Sequence, residues 1–205
     1  MRKTYDILTV VILVFSLYGC SGGGGNSPDT GTSRLVFFQV FPFTGLSDNS
    51  DTPTLEALSM NQALIDGNLV AGSGIDIGQS ASFGGVPILR NLGLDFVNIT
   101  SVNLLYVYID RQVPSSVTSS VNTFKWDIYT SSDNLNWTLY QSQLLGVFDP
   151  FSNRFEIQFP TISTRYIKAA VLPLSVTVIA PPGTDVSNIS ITELQAYVSK
   201  IMMVL

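Results

Sequence analysis

The chain contains no histidine and only one cysteine, Cys20. Without histidine there is no Ser-His-Asp triad, no imidazole general base and no histidine metal ligand. A lone thiol closes no disulfide within the chain and builds no thiolate zinc site. Charge is scarce too: 12% of residues carry it, against about 25% in an average soluble protein. It leans acidic, with 10 Lys and Arg against 15 Asp and Glu. No basic cluster occurs, so nucleic acid lacks its electrostatic attraction, and charge-driven docking on anionic lipid is disfavoured. Gly84-Gly85 lacks the flanking strand and helix of a phosphate-binding loop. Paired carboxylates remain the one route to chemistry, as in glycoside hydrolysis. The charged strand residues Asp127 and Glu156 alternate with apolar neighbours and read as solvated faces. The inventory points to a protein that is not an enzyme.

Long apolar runs are also missing. The most apolar stretch, Ile7 to Leu17, is too short for the ~20 residues of a spanning helix and follows Arg2 and Lys3, the pattern of a secretory signal core. The next four residues, Leu17-Tyr18-Gly19-Cys20, resemble a bacterial lipobox, whose cysteine is lipidated and becomes the new N-terminus. Tyr18 departs from the small residue usual at its place. The competing reading is an ordinary signal peptide cut near Gly19, with Cys20 incidental. Lipidation is preferred because Cys20 is the sole cysteine, and acylation removes a free thiol from an oxidising compartment. Residues 1–19 are then the leader and 20–33 a lipidated Gly/Ser-rich tether. From Ser21 to Ser33 it reaches at most about 45 Å. Position 21 is serine rather than the aspartate that tends to hold lipoproteins of Gram-negative bacteria at the inner membrane, so the resemblance implies the outer membrane. The leader takes Arg2, Lys3 and Asp6 with it, leaving eight cationic residues against fourteen acidic. Three Asn-x-Ser/Thr sequons (Asn98, Asn136, Asn188) are read as chance beside a lipobox.

Residues 34–198 read as one β domain, with 199–205 a C-terminal tail that is either a last strand or a truncated end. Leu35 to Phe43 is a strand heavy in phenylalanine. Leu55 to Leu64 is ambiguous between helical turn and strand, with a slight preference for helix. Val102 to Ile109 is apolar on both faces, the pattern of a central strand. Phe124, Trp126 and Ile128 alternate with polar residues, Ser131 to Asn136 is a polar turn, and Trp137 opens a second apolar run. Phe155, Ile157 and Phe159 alternate with Glu156 and Gln158. Tyr166 to Leu172 and Ile189 to Val198 follow as further strands. About eight strands with no long helix indicate an all-β antiparallel sandwich.

The hairpin FKWDIYTSSDNLNW closely resembles the central hairpin of the discoidin family, the coagulation factor V/VIII type C or galactose-binding-like domains. Leu94-Asp95-Phe96, Arg165-Tyr166-Ile167-Lys168 and Ile191-Thr192-Glu193-Leu194 are similar to that family's other strand motifs, in the same order. The resemblance implies an eight-stranded jelly roll and a non-catalytic binding module. It also places Trp126 and Trp137 in the core rather than as sugar-stacking platforms, and makes Arg165 a framework residue paired with a carboxylate. Asp66-Gly67-Asn68 with Glu193 is similar to the loop that holds structural calcium in many such modules, although Ala71 and Ser73 replace the usual threonine and tryptophan. The alternative is a plain turn, with Glu193 paired to a cation. Ligand loops are expected at one end of the sandwich: Phe43 to Asp51, Phe83 to Arg90 and Phe148 to Arg154, with Phe43, Phe83, Arg90, Phe148, Phe151 and Arg154 as candidate contacts. The expected partner is a cell-surface or extracellular glycan, or alternatively a protein in an envelope complex.

Overall fold

A computed structural model describes residues 32–48, 57–78, 82–83, 86–87, 89–113, 124–172 and 189–204. The leader, Cys20 and the tether as far as Gly31 lie outside these, and the last two tether positions, Thr32 and Ser33, belong to β1. The strands are β1 (Thr32–Val40), β2 (Thr44–Asp48), β3 (Ser59–Met60), β4 (Ser82–Phe83), β5 (Val86–Pro87), β6 (Arg90–Ile109), β7 (Lys125–Ser131), β8 (Thr138–Leu145), β9 (Val147–Asp149), β10 (Arg154–Val171) and β11 (Ile191–Val204), with one 3-10 turn at Gln62–Leu64. No α-helix occurs among the described residues.

Two long strands organise the larger unit, Gln39–Val198. β6 and β10 pair antiparallel along most of their length, from Arg154↔Tyr108 to Val171↔Arg90. Where β6 is Arg90 to Asp95, its other neighbour is β2, and β10 goes on to pair β7, which pairs β8. Further along β6 the neighbour is β11, and β10 pairs β9. The two long strands therefore take part in two sheets: β3-β2-β6-β10-β7-β8 and β11-β6-β10-β9.

The passage between the sheets is built from local irregularities. Val97 has φ 65, with its N–H held by Asp95 Oδ1 at 2.7 Å. Opposite, β10 shifts register between Gln158 and Ile162 and again between Thr164 and Tyr166. Such bulges bend a strand and change which side chains face inward. In β6 the core positions change from Leu92 and Leu94 to Leu105, Val107 and Ile109. Those residues meet Trp126, Ile128, Phe155, Ile157, Ile167, Leu194 and Ala196 in one apolar cluster. The inner faces of both sheets thus share a core, and the architecture is the antiparallel β-sandwich that the strand pattern predicts, of the jelly-roll kind that the resemblance implies.

Several expectations need correction. Phe155–Phe159 and Tyr166–Leu172 are one strand, β10, because bulges rather than a loop absorb Pro160 and its neighbours. Leu55 to Leu64 holds a two-residue strand and a single 3-10 turn instead of a helix, among its described residues. Ser199 to Val204 continues β11, the last-strand alternative of the two readings given for that segment. In the smaller unit, β1 as far as Phe38 and β11 from Ser199 lie together.

Trp126 is wholly buried between the sheets. Trp137 is 8% exposed but belongs to a separate cluster with Leu46, Leu58, Tyr129, Tyr166 and Ala170. Alternation along β7 and β10 puts that cluster on the opposite face of the first sheet. Both indoles are core residues, but only Trp126 lies between the sheets.

Candidate functional site

On the second sheet, the positions alternating with Leu105, Val107 and Ile109 are Leu104, Tyr106 and Tyr108, so these point away from the shared core. Register sets Gln195 and Glu156 on either side of Tyr106, and Glu193 and Arg154 on either side of Tyr108. The result is a polar and aromatic surface spread over β11, β6 and β10. Tyr106 and Tyr197 lie with ring centroids 4.6 Å apart at 48°, and Tyr106 meets Tyr108 edge-on at 6.5 Å. The Arg154 guanidinium carbon is 3.9 Å from the Tyr106 ring centroid, within cation–π range.

Hydrogen bonds fix this arrangement. Arg154 donates to Glu156 Oε1 through Nη2 (2.6 Å) and Nε (3.1 Å), and to the Tyr108 hydroxyl (3.2 Å). Asp149 lies 3.7 Å from Nη2. Gln195 Oε1 accepts from the Tyr197 hydroxyl (2.8 Å) and the Tyr108 hydroxyl (3.3 Å). Burial works against the Arg154 charge, but the bonds to Glu156 and Tyr108 outweigh it and hold its pKa above the usual arginine value. Burial, reinforced by Tyr108 and Tyr106, pushes the Tyr197 hydroxyl up to about 12. The Tyr106 and Tyr197 hydroxyls are therefore protonated at neutral pH, and the Arg154 charge is compensated by Glu156. Chemically this surface stacks and hydrogen-bonds, and it presents no nucleophile with an adjacent base.

Of the six expected contact residues, the structure puts four at one end: Phe148, Phe151, Arg154 and Arg90. Ile109 N–H donates to Asn153 O and Gln112 Nε2 to Pro150 O, which ties the 150–153 turn to the end of β6. Phe151 stands there 98% exposed, beside Arg154 and near the half-buried Phe148, which packs on Phe155. Arg90 donates to Asp76 O, and Asp76 bridges to Ser190, whose N–H reaches Asp110 Oδ1, so Arg90 belongs to the same end. Phe43 does not. It is bonded to Asp95, five residues along β6 from Arg90, roughly 17 Å away at strand rise. The side chain of Phe83 lies outside the described residues. Tyr106, Tyr108, Glu156, Gln195 and Tyr197 were not singled out in the sequence, because alternation marks a central strand without saying which face is a surface. The signal was there, however: three tyrosines falling on one parity of two strands that the motif order makes neighbours.

Asp66, Asn68 and Glu193 do converge on one turn. Gly67 N–H donates to Glu193 Oε2 at 3.1 Å, and Gly67 has φ 77, a conformation natural to glycine. Asp66 Oδ1 accepts from Asn68 N–H (2.8 Å), while Asn68 Oδ1 accepts from both Val70 and Ala71 (3.0 Å each). Burial, and then the charge of Asp66, raise the Glu193 pKa against the Gly67 bond. Glu193 is buried while Asp66 and the rest of the 66–71 turn are exposed, and a facing pair of carboxylates is the kind of donor set a hard cation takes. Asn68 as placed does not contribute, since its carbonyl oxygen already serves two donors. Among the described residues no group of three or more potential His, Cys, Asp or Glu ligands occurs.

Arg165 is a framework residue, bonded through Nε and Nη2 to both Asp95 oxygens (3.2 and 3.4 Å) and lying over Tyr166. Lys168 is 0% exposed on the outer face of the first sheet, with Nζ 4.8 and 4.6 Å from the Tyr129 and Trp137 rings. Burial pulls its pKa down to about 8, with Asp48 acting in the opposite direction.

No known family profile and no curated sequence matches the chain. Its neighbours among solved structures are carbohydrate-binding modules. A chitosan-binding module from a Paenibacillus chitosanase/glucanase is 14% identical over 78% of this chain and 97% of its own, with a TM-score of 0.46. The C-terminal domain of a Bacteroides fragilis chitobiase is 14% identical over 80% and 99%, at 0.44. A family 32 module from Clostridium perfringens, solved with galactose, is 16% identical over 80% and 100%, at 0.42. The sandwich described above rests on its own strand pairing and shared core rather than on these similarities.

Proposed function

We propose that the chain is a non-catalytic glycan-binding module held on the outer membrane by lipid at Cys20. The observation that carries the binding reading is the face of half-buried Tyr106 and Tyr197, with buried Tyr108 beside them and the Arg154–Glu156 and Gln195 network around it. Tyrosine faces suit the apolar faces of sugar rings, and fixed amide and carboxylate oxygens suit hydroxyl groups. Arg154 is neutralised by Glu156 and approached by Asp149, so the surface favours uncharged glycans over acidic ones. The 150–153 turn, with Phe151 exposed, supplies a rim at one end of that face.

A glycan array probed with the purified chain from Arg34 onward tests the reading. The expected result is reversible binding to neutral glycans, with no turnover of glycosides, esters or peptides. Silence on the array, with a protein partner recovered by crosslinking, would transfer the function to docking. The exposed Phe41, Phe43 and Ile99 favour that second reading. Hydrolysis abolished by one carboxylate substitution would overturn both. The anchor has its own test: Cys20→Ser should move the protein out of the membrane fraction or leave an uncut precursor, and a soluble wild type contradicts it.

The Asp66–Glu193 turn is proposed as a structural calcium site. Its role would be to offset the carboxylate repulsion there and fix the 66–71 turn against β11.

A further inference from the structure

The chain as a whole has a net charge of −5, but the ribbon of β1 and the end of β11 is different. In Thr32–Val40 and Ser199–Val204 the only charged residues are Arg34 and Lys200, both cationic. Large apolar side chains are exposed there: Leu35 at 54%, Phe37 at 41% and Ile201 at 75%. Their placement is not scattered. Lys200 Nζ lies 6.0 Å from the Phe38 ring, so those two share a face. Alternation along each strand then puts Leu35, Phe37 and Ile201 together on the opposite face. The Leu35–Phe37–Ile201 face carries no charge, while the two cations are on the other parity together with Met202, 48% exposed.

We infer that this apolar face is a second membrane contact, seated in the interface of the bilayer that carries the lipid on Cys20. The inference rests on the lipoprotein reading for its geometry. A tether of thirteen residues keeps Arg34 within about 45 Å of the anchored cysteine, so β1 never leaves the neighbourhood of the membrane. Partition of apolar side chains supplies the attraction, as for interfacial amphipathic segments. Arg34 and Lys200 add a smaller term by reaching along the ribbon to anionic headgroups, their stems lying on apolar surface. The consequence is orientation: an acyl chain alone fixes a single point, whereas a second contact restrains how the module turns about it.

Flotation of the full chain after the leader, made soluble by Cys20→Ser, on vesicles of phosphatidylethanolamine mixed with phosphatidylglycerol tests this without the lipid. The expected result is co-flotation, reduced about tenfold or more by each of Leu35→Ser, Phe37→Ser and Ile201→Ser, the loss expected for removing one buried apolar side chain. Vesicles of phosphatidylethanolamine with phosphatidylcholine should bind less, and Arg34→Ser with Lys200→Ser should remove that difference. Thermal melting of each variant checks that the sandwich still folds. Failure of the Cys20→Ser protein to float would overturn the inference while leaving lipidation to be judged by cell fractionation. Equal flotation of the serine variants would also overturn it. So would a dimer in solution that the serine variants abolish, which would assign the face to a second copy of the chain.

Discussion

Trp126 and Lys168 show how differently two fully buried side chains contribute. Trp126 is packed with Phe155 and Ile128 between the sheets, and its indole N–H has no partner there. Trp126→Ala should therefore cost about 3–5 kcal/mol in denaturant titration, the range for losing a large core aromatic. A loss under ~1 kcal/mol would place the indole at the surface. Lys168 is the opposite case, because burial lowers its pKa to about 8, with only partial compensation. Below that pH the folded and unfolded chains both hold the proton, and the penalty for burying the charge is present in full. Between about pH 8 and the ordinary lysine value the unfolded chain binds more protons, so this residue's contribution to stability improves as pH rises. Lys168→Met should be neutral or stabilising at pH 7, since an apolar side chain of similar length replaces a buried cation. Its advantage over wild type should shrink toward pH 10. An advantage independent of pH would contradict the assigned environment.

Among the elements, the central hairpin was the most legible in sequence, because alternating apolar residues and a polar turn are local signals. β7 and β8 lie where that pattern places them, and Arg165 pairs with Asp95 as the motif resemblance implies. The span of β6 and β10 across both sheets was not legible. It depends on a bulge at Val97 and two register shifts, and such irregularities carry no periodicity of their own. The cover over the outer face of the first sheet was equally hidden. Asn134, at φ 61 in the hairpin turn, exchanges hydrogen bonds with the backbone of Leu58 at 3.1 and 2.9 Å, holding that leucine over Gly93. Asn134→Ala loses both bonds and sets alanine in a left-handed conformation that asparagine tolerates better. It should cost about 1–3 kcal/mol, measured by chemical denaturation. At the 66–71 turn, calcium should raise the melting temperature by mass action, and Asp66→Asn should abolish that rise. A melting temperature indifferent to calcium would leave the turn held by its hydrogen bonds alone.

At the scale of the whole molecule, the two proposed contacts draw on one strand. β11 contributes Gln195 and Tyr197 to the candidate binding face, and a few residues later Lys200 and Ile201 to the ribbon. The absence of histidine and the single cysteine are what turned the reading of composition toward a binding role. The face itself was not legible, since it is assembled from β6, β10 and β11 by register rather than by any contiguous motif. The central claim is that this face, not the loops alone, binds neutral glycan. Calorimetric titration of the best array ligand into wild type, Tyr197→Ala and Phe151→Ala tests it most directly, with melting curves as the check on folding. The account predicts that Tyr197→Ala weakens binding about tenfold or more, ~1.4 kcal/mol, while Phe151→Ala has the smaller effect. Unchanged affinity in a folded Tyr197→Ala would contradict it.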